Sequence, residues 1–142
     1  MTHAAAGPRV AQLSEAARAQ LAHGIRQFND RLFFECHDTL EEMWSALRGD
    51  ERDFVQGLIQ IAVAFYHLGN GNTPGAVRLF DRGLERLRAY PEQYAGLDTG
   101  PLRSAAVRWR EAAASGDGLP AEAPPTIALA PADEEIRDSQ PR

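Results

Sequence analysis

GLIQIAVAFYHL, Gly57–Leu68, is the stretch that decides the fold. It is apolar almost all the way round at helical spacing, and a helix with no face that prefers water belongs at the buried centre of a bundle. The pattern predicts a helix over 51–69. The polar exceptions Asp53, Gln56, Gln60 and His67 fall on one narrow stripe, with the small residues Gly57 and Ala64 beside it, so another helix or a ligand can approach there. Gln56 and His67 are about 16 Å apart along the axis, too far for the whole stripe to hold one ion.

Working outward, Ser14 is an N-cap candidate, and Ala17, Leu21, Ile25 and Phe28 form the inward stripe of a first amphipathic helix that ends or kinks at Asn29-Asp30. A second helix is expected over 32–47, stopping before Gly49-Asp50. After the central helix, Gly69-Asn70-Gly71-Asn72 is a stop, and Thr73-Pro74 reads as a cap followed by a first-turn proline. The fourth helix runs to Tyr90 with Ala76, Val77, Phe80, Leu84 and Leu87 inward. Residues 90–100 form a connection whose Tyr94 and Leu97 pack on the bundle, and Pro101 opens a fifth helix, with Leu102, Ala106, Trp109 and Ala113 on one face, closed by Ser115-Gly116. From Asp117 the chain turns proline-rich and acidic, and only Thr126–Leu129 is suited to lie extended against the bundle. No strand pattern or internal repeat is visible. The expected fold class is all-α: a single-domain bundle of about five helices with a Pro-rich, mostly irregular C-terminal tail. The division is 1–12 as a flexible N-terminus, 13–116 as the helical bundle and 117–142 as the tail.

Composition narrows the function. The 142 residues are 44% hydrophobic and 25% charged, enough for a core without disulfides, and the one cysteine, Cys36, allows no internal disulfide. No apolar run reaches membrane-span length and the N-terminus lacks the order of an export signal, so the expected location is cytoplasmic, with no membrane association. The net charge of −5 makes nucleic acid an unlikely partner. The charge is unevenly spread: acids dominate from Asp30 to Asp53, and arginines from Arg78 to Arg110, where their alternation with acids fits a solvated helix face.

The second helix carries FFECHDTLEEMW, Phe33–Trp44, in which His37 and Glu41 are one turn apart at the border of the apolar arc. Both are expected to be at least half buried, while Glu42, about 140° round from His37, and Glu35 point elsewhere. The histidine and carboxylate would form one wall of a groove whose other wall is the Asp53, Gln56, Gln60, His67 stripe. One reading has His37 and Glu41 converge with Gln60 or His67 on a metal or a small polar ligand. The other makes them a hydrogen-bonded pair that sets helix register, completed by Gln60 or His67. Trp44 belongs to the set by position, although its size suits core more than ligand platform. Cys36 lies about 100° from His37 and outside it.

FFECHDTLEEMW followed by QGLIQIAVAFYHLGNGNTPGAVRLFDRGLERL resembles the prokaryotic domain of unknown function 309, small all-helical proteins marked by His-x-x-x-Glu-Glu-x-Trp. The resemblance runs from roughly Phe28 to Leu102. It implies a metal site on His37, Glu41 and Glu42, with Trp44 completing the signature. It departs from the family pattern in having His37-Asp38 where His-Glu is usual. It implies no reaction or substrate.

Two functions fit these residues. The first is a binding module whose site of His37, Glu41, Gln56, Gln60, His67 and Trp44 takes a small molecule or a protein partner, with a second copy of the chain among the candidates. The alternative is a metal-binding protein using a divalent ion, such as a metal-dependent hydrolase, with His37 and Glu41 as ligands and Glu42 or His67 as acid/base. The first is favoured because no nucleophile and no complete coordination sphere can be read from the chain.

Overall fold

A computed structural model describes residues 11–129. The five helices are α1 (Glu15–Asn29), α2 (Phe33–Trp44), α3 (Gly49–Gly69), α4 (Thr73–Leu87) and α5 (Gly100–Ser115). They make an all-α bundle in which α3 lies between α2 and α4, α1 packs on α2, and α5 packs on α4. The expected flexibility of residues 1–12 and the far end of the tail fall largely outside the described residues. None of the described helices is long and apolar enough to cross a membrane.

The centre is α3, as its all-round apolarity requires. Phe54, Val55, Ile61, Ala62 and Ala64 are each at most 1% exposed. Phe65 gathers one ring from each neighbour: it stacks on Phe33 of α2 at 5.3 Å and meets Phe28 of α1, Phe80 of α4 and Trp109 of α5 edge-on at 5.9, 5.0 and 5.6 Å. These contacts add edge-to-face attraction to the burial of large apolar surfaces.

Local chemistry sets the ends. Ser14 Oγ accepts from the Ala17 amide at 3.0 Å, the expected N-cap of α1. For α4 the cap is Asn72, whose Oδ1 accepts from the Gly75 amide at 3.1 Å, rather than Thr73, which is already helical. α5 closes on Gly116 in the left-handed region.

The connection after α4 holds what the sequence pattern missed. Strands β1 (Gln93–Tyr94) and β2 (Leu97–Asp98) form a hairpin across Ala95-Gly96, both with positive φ, and β3 (Ala128–Leu129) pairs with β2. Strands of two residues are too short for an alternation signal, and Ala-Gly is not one of the usual primed-turn pairs. Tyr94 and Leu97 pack inward as expected. The returning tail also behaves as expected: Ile127 is 4% exposed, and the Asn29 side chain grips its backbone at both ends, donating to the carbonyl at 3.0 Å and accepting from the amide at 2.8 Å.

Candidate functional site

His37 projects from the middle of α2. Its Nε2 lies 3.3 Å from Glu41 Oε2 and its Nδ1 lies 3.4 Å from Asp38 Oδ1, neither aligned as a hydrogen bond. The pair expected from the one-turn spacing is therefore present, with Asp38 as an addition. The expected burial holds for His37 and fails for Glu41. The His37 side chain is 23% exposed, but that of Glu41 is 55% exposed and that of Asp38 63%. A carboxylate two turns from Phe34 on the rim of a twelve-residue helix extends past the apolar arc into water, so Glu41 is an exposed acid and not half of a buried pair.

The second wall of the groove is also corrected. Asp53 and Gln60 turn to α4, where Arg86 Nε donates to Gln60 Oε1 at 3.3 Å and Arg86 Nη1 donates to Asp53 Oδ1 at 3.3 Å. The small residues explain why. A Cβ on Gly83 of α4 would lie 2.8 Å from Ile61 Cδ1 and 3.1 Å from the Gly57 carbonyl oxygen, so the two backbones meet where both lack side chains. The stripe is thus a seam between α3 and α4. His67 leaves it as well: its Nδ1 is 3.3 Å from Asn72 Nδ2 in the turn that ends α3. Gln56 is half-buried on the same helix.

Glu42, named as a metal ligand by resemblance, faces α1, where it accepts from Gln20 Nε2 at 3.2 Å. Its position about 140° round α2 turns it away from His37. Among the described residues no three His, Cys, Asp or Glu side chains are grouped to hold a metal ion. Glu42 instead borders an open cleft of about 430 Å³ between α1 and the end of α2, with Leu13, Ala17, Gln20 and Leu47 among its walls.

What the structure sets beside His37 is aromatic. Phe34 is 5.7 Å from the imidazole and 5.4 Å from Tyr66 of α3, ring centre to ring centre, and both rings are exposed, at 48% and 38%. Trp44 packs on the core from its half-buried place, and the Arg52 guanidinium lies over its ring at 4.0 Å. About 100° round α2 from His37, Cys36 is 1% exposed, and burial pushes its thiol up to about 12. It is a sealed core residue, not a nucleophile.

Three features escaped the sequence reading. Arg86 falls with Leu79 and Gly83 at i, i+4, i+7 on one α4 face, and the glycine on that face was the available signal for its place in the seam. Tyr66 carried no signal, since an all-apolar helix does not announce which ring will reach the surface. The Thr39 hydroxyl donating to Gln27 Oε1 at 2.6 Å was likewise invisible, because both residues are ordinary in helices.

Residues 21–79 match the family model described as "Domain of unknown function (DUF309)". The match begins in α1, earlier than the resemblance placed it, and ends in α4, so β1, β2 and α5 lie beyond it. The chain is 41% identical over 75 residues to the "Uncharacterized protein YpuF" of Bacillus subtilis (strain 168), covering 51% of this chain and 43% of that protein. It is 26% identical over 73 residues to an "Uncharacterized protein" of Aquifex aeolicus (strain VF5), covering 51% of this chain and 22% of the relative. The aligned region thus spans less than half the length of these curated relatives. The stretch similar to the DUF309 family, residues 21–79, holds the helices that carry His37, Glu41 and the central apolar segment.

Proposed function

We infer that the protein is a binding module that docks a protein partner on the α2–α3 face formed by Phe34, His37, Glu41 and Tyr66. One observation carries the reading: two large aromatic rings, Phe34 and Tyr66, stand together at the surface, 48% and 38% exposed and 5.4 Å apart, beside a histidine flanked by carboxylates. Adjacent rings left in water are the usual anchors of an interface, with polar groups at their rim. The rings stand on helices that pack into the core from their other sides, so the face is pre-organised. A cytoplasmic location goes with this reading, supported by a chain whose one thiol is free and buried.

Selection of displayed random peptides on the wild-type chain tests it. The expected outcome is a set of sequences that bind wild type and lose binding to Phe34→Ser/Tyr66→Ser, with the melting temperature of the variant little changed. Selected peptides that bind the variant equally well would place recognition elsewhere. The divalent-metal reading rests on His37 and Glu41 alone, short of the usual three protein ligands. Elemental analysis of chelator-free protein separates the two: stoichiometric metal that disappears in His37→Ala would replace the docking face with a metal centre.

A further inference from the structure

Resting on that reading of the face, we propose that its partner is a cationic amphipathic segment of another protein, with an apolar side chain seated on Phe34 and Tyr66 and an Arg or Lys reaching Asp38 and Glu41. The argument is charge complementarity. Helix α2 carries Glu35, Asp38, Glu41 and Glu42 and no arginine, and among the described residues none of these four acids has an Arg within ion-pair distance. Elsewhere four exposed acids are paired with arginines within the chain, Asp53 with Arg86, Asp81 with Arg110, Glu85 with Arg88 and Glu122 with Arg108, whereas α2 gathers four acids on twelve residues with no such pair. The acids of α2 have only imidazole and amide neighbours, His37 and Gln20. Phe34, His37, Asp38 and Glu41 follow the i, i+3, i+4, i+7 pattern of one helix stripe, so ring and carboxylate are about 10 Å apart along the axis. That is the reach of two helical turns, or of about three extended residues, in a partner with one apolar and one basic anchor.

Phosphate-bearing nucleic acid would be repelled by four acids on one short helix. A second copy has Arg78 and Arg82 of α4 to offer, although Arg110, Arg88 and Arg108 are already held by Asp81, Glu85 and Glu122, so a dimer measurement separates it from a foreign segment. The aromatic rings strengthen cation recognition, since a guanidinium over a ring face is favourable, as Arg52 over Trp44 already shows within the fold.

The test uses the full chain and three synthetic amphipathic peptides of about a dozen residues, alike except that the polar positions are Arg, Gln or Glu. The Arg peptide should bind at least about tenfold more tightly than the Gln peptide, weaken as salt rises, and shift the Phe34 and Tyr66 resonances. Asp38→Asn/Glu41→Gln should cost about tenfold in its affinity, and Glu111→Gln/Asp117→Asn, a pair of the same charge change on and just beyond α5, should leave it unchanged. Equal losses from both pairs would reduce the effect to general attraction and overturn the proposal. A Gln peptide that matches the Arg peptide but still needs Phe34 and Tyr66 would overturn the cationic partner and leave the docking face standing. Peptides that bind Phe34→Ser/Tyr66→Ser as well as wild type would overturn both. A concentration-dependent dimer abolished by that same variant would assign the face to a second copy, also overturning the proposal.

Discussion

The α3–α4 seam and the outer face of α2 carry the same kinds of residue and put them to opposite uses. Each is a stripe of polar side chains on a largely apolar helix. In the seam, Asp53 and Gln60 meet Arg86, and Gly57 opposite Gly83 lets the backbones close over the rest. On α2, Asp38 and Glu41 meet only His37, and Phe34 and Tyr66 remain at the surface. A polar group on a core helix is therefore no sign of a site until its partners are counted. Where the chain supplies them, the stripe fixes packing and register, and where it does not, the stripe is available to another molecule.

The comparison can be broken by perturbations that should hurt stability at the seam and leave it alone on the outer face. The largest effect is expected in alkali, from groups sealed behind both regions. Burial pushes the Cys36 thiol from an ordinary 9.0 to about 12, and it pushes Tyr94 from 10.0 to about 12, with the charges of Glu51 and Asp50 adding to the rise. Tyr90, whose hydroxyl donates to the Asp50 carbonyl at 2.6 Å, is raised further. The unfolded chain releases these protons first, so the stability is whole below about pH 9 and falls as pH climbs toward about 12. Urea midpoints across that range should decline, and Cys36→Ala should delay the onset by about one pH unit. A flat profile would mean that α2 is not sealed on its inner side.

Next in size is the seam itself. Gly83→Ala drives a methyl to within 2.8 Å of Ile61 and 3.1 Å of a backbone oxygen, and should destabilise by about 1–3 kcal/mol despite the better helix propensity of alanine. Gly69→Ala, at the end of α3 where a Cβ meets nothing within 4 Å, should stay within about 0.5 kcal/mol of wild type in the same denaturation series. Equal effects would show that the close approach is not what shapes the seam.

Arg86→Ala should cost about 1 kcal/mol, mostly from stranding the buried Gln60 carbonyl oxygen, since the Asp53 pair is exposed enough for solvent to screen it. If Gln60→Leu then recovers part of that loss in the double variant, the stranded oxygen is the cause. The smallest effect belongs to the outer face: Glu41→Gln should change stability by less than about 0.5 kcal/mol, because its carboxylate is 55% exposed. A loss above about 2 kcal/mol would restore Glu41 to a buried network and remove the ground for the docking face.

The sequence by itself determined the bundle. An apolar helix that is wet on no side has to be central, and Ser14, Gly116 and the Thr126–Leu129 strap each act through bonds or contacts set by residue type, so they are legible one residue at a time. The spacing of His37 and Glu41 likewise guaranteed that they would meet, because one turn of α-helix brings i and i+4 together whatever surrounds them. Only the tertiary structure decided which neighbour each helix face receives. Helical periodicity gives the angle of a side chain about its own axis but not which other helix lies at that angle, nor how close two glycines let it come. For that reason Gln60 and Asp53 were readable as a stripe but not as the partners of Arg86. Glu41 was readable as a neighbour of His37 but not as an exposed acid beside two aromatic rings.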